Sequence, residues 1–205
     1  MLNFVEMCAN KIVNLNKKLE NIKSIKPEIL VLVLYCVLHI IISIFHEPWF
    51  DEAVAWQIAK VANIKDILFE IPHYEGHPPL WHLVLLPFAK LGAPYEFSLS
   101  FVSLIFSALT IYLILFKSPF PRLIKLLLPF NYFMFYQYGV ISRPYCMMML
   151  AFVLLAILYK KHNERPFLYV LGLAFLCLTS AYGIVIAGGI SIAWIIEMIY
   201  EKGFI

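Results

Sequence analysis

The fold of this chain is set by the stretch from His46 to Trp81, HEPWFDEAVAWQIAKVANIKDILFEIPHYEGHPPLW. It is the longest polar interruption in a sequence that otherwise consists of apolar runs separated by short turns. An acidic pair, Asp51 and Glu52, lies within it, and four of the six histidines lie in or beside it: His46, His73, His77 and His82. Because a carboxylate at a membrane surface is costly when buried, such a pair indicates a functional site.

Composition places the chain among multi-spanning membrane proteins. Of its 205 residues, 62% are hydrophobic and 14% are charged, and the mean hydropathy is +0.83. A water-soluble globule needs more polar surface than this. The net charge of +3 comes from short basic loops without a basic stripe interleaved with aromatics, so we predict no nucleic-acid partner. The four cysteines show no paired spacing, which argues against a disulfide framework or a cysteine zinc site.

Hydrophobic periodicity and turn signals predict an all-α polytopic membrane helix bundle of about six spans. Residues 1–27 have the pattern of an amphipathic segment with five lysines, which we place on the cytoplasmic surface. The six predicted spans are 28–45, 97–116, 123–138, 142–159, 167–179 and 184–200. The apolar segment 79–91 is too short to cross, and we expect it to lie in the membrane interface.

The basic residues predict the orientation of the bundle. If 79–91 does not cross, twelve of the sixteen Lys and Arg residues face the cytoplasm, Lys23 and Lys202 among them. If 79–91 does cross, fewer of these basic residues face the cytoplasm. We therefore predict that 79–91 does not cross, that both chain ends are cytoplasmic, and that 46–96 is one large external loop. Within this loop, 51–61 and 64–71 have the pattern of short amphipathic helices along the membrane surface.

Asp51 is compatible with two roles that the residues alone do not separate. A carboxylate at a helix start can accept hydrogen bonds from free amides and cap the helix, or it can act in catalysis. A loosely held divalent ion on Asp51 is a further alternative, because a carboxylate with open positions suits a metal that also binds phosphate. His73, Glu75 and His77 are ligand types, but there is no HExxH motif or second ligand cluster to support a dedicated zinc site.

A second cluster, YQYGVISRPY, spans residues 136–145. Arg143 is the one arginine on the predicted outer side, and tyrosines, including Tyr145, flank it. An arginine near the hydrocarbon boundary can simply extend to the interface. A guanidinium that faces the acidic loop can instead bind a phosphate bidentately. Tyr182, in the turn TSAYG, is predicted at the same depth, where interfacial tyrosines are also commonplace.

The order of these motifs resembles that of the GT-C superfamily of membrane glycosyltransferases. PWFDEA, GHPPLW and SRPY follow one another within residues 30–197. The resemblance is to the N-terminal half of the protein O-mannosyltransferase-like enzymes, the lipid A aminoarabinose transferases and the lipopolysaccharide-core sugar transferases. It implies a GT-C-like transmembrane region over 28–205 in the plasma (inner) membrane. It also implies transfer of a sugar from a polyprenyl-phosphate carrier to a glycan, lipid or protein acceptor on the outer face.

The resemblance assigns roles to residues in the external loop. Asp51, with Glu52 as its neighbour, falls on the family's catalytic acidic position and would act as a general base or a metal ligand. Recognition of the carrier phosphate falls on the turn that carries His73, Glu75 and His77. His77 stands where the aminoarabinose transferases have lysine, so charge neutralisation there would depend on pH. At this point the chain is similar to the sugar transferases with His-Pro-Pro.

The resemblance extends to the later turns. Arg143 and Tyr145 match the family's arginine and aromatic turn and would contact phosphate or sugar. Tyr182 matches an aromatic position whose neighbour is often histidine, whereas here that neighbour is Ala181. Family members continue with further spans, so the resemblance predicts that this chain is a fragment or needs a partner chain that supplies the second half.

The alternative is a non-catalytic membrane protein, such as a transporter half or a carrier-lipid binding subunit. Polar or interrupted spans near the membrane midplane would favour that class. Convergence of Asp51, Glu52, His77 and Arg143 on one cavity would favour the enzyme.

Overall fold

The computed structural model describes residues 2–21 and 26–201, and every regular element in these residues is helical. The α-helices are α1 (Leu2–Glu20), α2 (Lys26–Phe45), α3 (Phe50–Val61), α4 (Ile64–Phe69), α5 (Ile71–Glu75), α6 (Leu80–Lys90), α7 (Tyr95–Lys117), α8 (Arg122–Leu127), α9 (Tyr145–Tyr159), α10 (Pro166–Thr179) and α11 (Ala181–Glu201). A 3-10 turn, Leu128–Phe130, and a π-helix, Phe133–Val140, lie between α8 and α9. The predicted all-α class is confirmed.

Three helices, α2, α7 and α11, are long and apolar enough to cross a membrane. They coincide with three of the predicted spans, and they indicate a membrane protein. Helices α9 and α10 are apolar but have only 15 and 14 residues, fewer than the roughly 20 that a straight span requires. The predicted span 123–138 is divided among α8, the 3-10 turn and the π-helix. The number of six spans therefore stays a prediction.

The interruption between α8 and α9 follows from particular side chains. Asn131 Oδ1 accepts a hydrogen bond from the Met134 amide at 3.0 Å. This bond stabilises the first turn of the π-helix, which follows the 3-10 turn. Gly139, near the end of the π-helix, lets this helix lie close to α2, since a Cβ at position 139 would lie 2.8 Å from Tyr35 Oη. Ser103 Oγ of α7 donates to the Gly139 carbonyl. The π-helix is thus fixed to α2 and α7, and it ends at the turn that carries Arg143.

The N-terminal helix is tied to the body through Arg122. Its guanidinium donates to both carboxylate oxygens of Glu28, at 2.6 and 2.7 Å, and to the Leu19 carbonyl at 2.7 Å. Most of the described α1 side chains are exposed, as the amphipathic pattern predicts. Its position on a membrane surface stays a prediction. Lys23 and Lys202 lie outside the described residues.

The 46–96 segment folds onto the helix bundle. Trp56 of α3 packs in one buried cluster with Trp81 and Leu85 of α6, Leu99 of α7 and Met147 of α9. The predicted helix at 51–61 begins one residue earlier, at Phe50, and the helix predicted at 64–71 is divided between α4 and α5. Because α3 and α6 pack against α7 and α9, the polar residues of this segment have fixed positions relative to the Arg143 turn.

Candidate functional site

A cavity of about 290 Å³ lies between α3, the turn after α5, the start of α6 and the turn that follows the π-helix. We call it the Asp51 cavity. Its polar lining residues are Asp51, Glu75, His77, His82 and Arg143. The structure therefore brings together residues from three separate motifs of the sequence, including four of the predicted site residues.

Asp51 and Arg143 form an ion pair at the mouth of this cavity. Arg143 Nη1 donates to Asp51 Oδ2 at 2.8 Å, and the two side chains are 24% and 51% exposed. The guanidinium carbon also lies 5.1 Å from the centre of the Tyr145 ring, a distance at which a cation is attracted to an aromatic face. Asp51 is not the helix cap, because α3 begins at Phe50 and its N-cap position is Trp49.

Glu52 lies behind the cavity and does not line it. Its side chain is 1% exposed. Its Oε2 accepts the Trp49 amide at 2.8 Å and the His46 Nε2 at 3.0 Å, while its Oε1 accepts the Ser142 amide at 2.7 Å. One carboxylate therefore holds the first turn of α3, which carries Asp51, against the residue that precedes Arg143. This geometry suits a positioning role, whereas the sequence placed Glu52 among the catalytic residues.

Three ring nitrogens of residues that line the cavity are buried without a hydrogen-bond partner among the described residues: His77 Nδ1, Trp81 Nε1 and His82 Nδ1. An indole N–H can only donate, and a buried donor without an acceptor costs about 1–3 kcal/mol. Burial, and secondarily the charge on His77, lowers the pKa of His82 to about 4, so His82 is neutral at pH 7. A cation and an unsatisfied indole N–H in one cavity, beside two histidine rings that can donate as well, suit a ligand rich in oxygen acceptors.

Two predicted site residues lie apart from the cavity lining. His73 is exposed on α5, and Tyr182, at the start of α11, is 63% exposed. Tyr145 reaches the site only through its contact with the Arg143 guanidinium. Sequence reasoning missed Trp81 and His82, although Trp81 ends the GHPPLW motif and His82 follows it directly.

Asp51 is also the predicted ligand of a divalent ion. Within residues 2–21 and 26–201 there is no group of three or more His, Cys, Asp or Glu side chains that would hold one. Asp51 Oδ2 already accepts a hydrogen bond from Arg143 at 2.8 Å, so a metal ion on this oxygen would compete with the Arg143 guanidinium. The ion stays a prediction.

Comparison with known proteins adds no assignment to this geometry. No family model, no curated protein and no solved structure matches this chain.

Proposed function

We propose that this protein is a membrane glycosyltransferase that transfers a sugar from a polyprenyl-phosphate carrier to an acceptor on the outer face of the plasma (inner) membrane. The observation that carries the proposal is the meeting of Asp51 and Arg143 in one cavity whose walls also hold unpartnered ring nitrogens. Such a set of groups can bind a phosphate through its oxygens and still offer a carboxylate to an acceptor hydroxyl.

In this proposal Arg143 exchanges its partner during binding. The guanidinium turns from Asp51 to the carrier phosphate, and Trp81 Nε1 or a histidine N–H donates to another oxygen of the donor. Since the Asp51–Arg143 pair is partly exposed, its loss costs little, about 1 kcal/mol or less. The exchange leaves Asp51 free to accept a proton, so donor binding and activation of the base are coupled.

The chemical step is an inverting displacement at the anomeric carbon. The acceptor hydroxyl oxygen forms a bond to that carbon, its proton passes to Asp51, and the bond from the carbon to the phosphate oxygen breaks. The electron pair leaves with the polyprenyl phosphate, whose negative charge Arg143 stabilises. Because a phosphate leaving group is weakly basic, the step needs no strong general acid.

Turnover by an Asp51→Asn variant tests the proposal. The protein is reconstituted in vesicles with polyprenyl-phosphate sugars, and release of polyprenyl phosphate is measured. We expect Asp51→Asn to bind polyprenyl phosphate normally and to lose turnover by ~10²–10⁴, the loss typical of a positioned base. Glu47→Gln is the matched control, because Glu47 is an exposed carboxylate close by in sequence. Wild-type turnover in Asp51→Asn would remove Asp51 from the chemistry, and no release of polyprenyl phosphate by the folded wild type would remove the enzyme assignment.

One observation favours the alternative, a transporter half or carrier-lipid binding subunit. The π-helix ends at Val140, and the turn with Ser142 and Arg143 follows before α9 begins. Transporters build their sites from interrupted helices of this kind. The same vesicles separate the two classes, because a transporter would move the polyprenyl-phosphate sugar across the bilayer without releasing polyprenyl phosphate.

A further inference from the structure

A second cavity, of about 580 Å³, lies between α2 and α7, and we call it the α2–α7 groove. This volume is within the ~300–1,000 Å³ of typical ligand pockets. Its apolar walls are Ile40 and Ile44 on α2 and Phe97 and Phe101 on α7, all of them exposed side chains. Both helices are long and apolar enough to cross a membrane, and in a bilayer these exposed apolar walls would face hydrocarbon.

Polar side chains also line the groove, which lipid tails alone do not explain. Ser43 and His39 of α2 lie side by side, with Ser43 Oγ 3.3 Å from His39 Nδ1. Ser100 of α7 lines the groove as well, and Glu96 and His46 line its end near the helix termini. His39 is buried and contacts Ser43, and His46 contacts Glu52, so the polar groups that remain available to an occupant are Ser43, Ser100 and Glu96. Polar groups that face hydrocarbon are costly without a partner. Their presence indicates an occupant that has both a chain and a polar head.

The charges of the groove limit the chemistry of that head. Among residues 2–21 and 26–201, no Lys or Arg side chain lines it, and the one carboxylate that does, Glu96, is exposed. A phosphate head would meet a negative charge with no permanent cation to offset it. A hydroxyl can donate to Glu96 and exchange hydrogen bonds with Ser43 and Ser100. The groove therefore favours an uncharged head with a hydroxyl, whereas the Asp51 cavity, which contains Arg143, can bind a phosphate.

We propose that the α2–α7 groove binds a membrane lipid whose headgroup is uncharged and carries a hydroxyl. The lining of α7 extends from Glu96 to Leu104, about 12 Å at ~1.5 Å per residue, which accommodates the head and the upper part of one chain. This inference goes beyond the proposed function, since binding there needs neither Asp51 nor Arg143. The head lies beside the residues that hold the Asp51 cavity, because His46 lines the groove and also contacts Glu52 at 3.0 Å.

Photocrosslinking in vesicles tests this site. The full chain is reconstituted in phosphatidylcholine with a trace of photoactivatable diacylglycerol, or of phosphatidic acid with the same chains, and labelled residues are mapped by mass spectrometry. We expect diacylglycerol to label 97–104 at least about fivefold more than phosphatidic acid, the ratio that one net hydrogen bond produces. Equal labelling by the two probes would show ordinary boundary lipid and overturn the proposal.

Two variants locate the labelling in the groove. Leu104→Trp fills its deep end and should abolish the preference for diacylglycerol. Leu109→Trp is the control, since Leu109 is 45% exposed on the same helix and does not line the groove. If size-exclusion chromatography shows that Leu104→Trp is not folded, the double variant Ser43→Ala and Ser100→Ala replaces it. This variant should also lose the preference for diacylglycerol. An unchanged preference in the folded variant would overturn the proposal.

Discussion

A carboxylate that is almost fully buried, Glu52, determines how Asp51 and Arg143 meet. It accepts two backbone amides, Trp49 and Ser142, and the His46 ring nitrogen. Buried carboxylates of this kind are stable only when each oxygen has donors. The two amides belong to segments far apart in sequence, so the carboxylate acts as a tie between the first turn of α3 and the Arg143 turn.

Substitution of Glu52 by glutamine separates a positioning role from a catalytic one. The Gln amide has one acceptor oxygen, so at least one of the two amides loses its partner, at a cost of about 1–3 kcal/mol. We expect lower thermal stability and weaker binding of polyprenyl phosphate, because the Arg143 turn loosens. Glu47→Gln removes an exposed carboxylate and should change neither. Normal stability and binding with lost turnover would instead assign Glu52 to the chemistry.

His82 predicts how stability depends on pH. Its folded pKa of about 4 lies below the ordinary value of 6.5, so the unfolded chain takes up the proton first as the pH falls. The contribution of His82 to stability is complete above pH 6.5 and decreases as the pH falls from 6.5 towards 4. We expect His82→Gln to melt with a smaller decrease over this range than the wild type. His73→Gln, at an exposed position, should keep the wild-type slope, and an identical slope in His82→Gln would contradict the prediction.

Site residues that belong to sequence motifs could be predicted, whereas the roles of residues that pack behind them could not. Asp51, His77 and Arg143 came from the order of motifs, and all three line one cavity. Glu52 could not be separated from Asp51, because burial depends on which later segment covers it, and that segment contains Ser142. Trp81 is part of a motif and His82 is one of four histidines near the loop, but neither was assigned a role, since an unpartnered ring nitrogen can be recognised only when its surroundings are known.

At the scale of elements, long apolar runs were predicted well and interrupted ones were not. The predicted spans 28–45 and 97–116 agree with α2 and α7 to within two residues at each end. The predicted span 123–138 is divided into shorter elements, because Pro129 cannot donate an amide hydrogen bond inside a helix and the Asn131 side chain accepts the Met134 amide at the start of the next element. Hydropathy does not detect either effect, because the residues between them remain apolar.

The turn between α10 and α11 depends on the small size of Gly183. A Cβ at this position would lie 2.2 Å from the Leu176 carbonyl oxygen. Since that oxygen belongs to the backbone of α10, the two helices would have to separate. We expect Gly183→Ala to lower the free energy of unfolding by about 1–3 kcal/mol or more, measured by thermal melting in detergent.

Gly188 supplies the matched control on the same helix. A Cβ there meets nothing within 4 Å, and alanine is a better helix former than glycine by up to about 1 kcal/mol. Gly188→Ala should therefore be as stable as the wild type or more stable. Equal melting temperatures for the two variants would show that the α10–α11 turn does not pack as described.

At the scale of the whole molecule, the proposed orientation places 46–96 outside and both chain ends in the cytoplasm. In a variant without the native cysteines, Asp66→Cys should react with a membrane-impermeant maleimide in intact cells, because Asp66 is half-buried on α4 and part of its side chain reaches the surface. Lys161→Cys, exposed in the α9–α10 turn, should react only after lysis. The reverse pattern would invert the molecule and move the Asp51 cavity to the cytoplasmic side.

The structural class of the whole molecule could be predicted from composition and hydropathy. Hydropathy and periodicity predicted an all-helical membrane protein; the structure confirms the all-helical class, and three of its helices are long and apolar enough to cross a membrane. The number of spans was harder, since α9 and α10 are short enough that tilt and local bilayer thickness decide whether they cross. Those properties belong to the protein and the membrane together, so the residues alone do not fix them.

Equilibrium binding of polyprenyl phosphate tests whether the Asp51 cavity recognises a lipid-linked phosphate. The wild-type chain in vesicles should bind this lipid saturably. Arg143→Gln should weaken binding by about 10- to 100-fold, the effect of one charge-assisted hydrogen bond. Arg165→Gln, which removes the same charge from an exposed turn, should bind as the wild type does. Equal affinity of the wild type and Arg143→Gln, or no saturable binding by the folded wild type, would contradict the account.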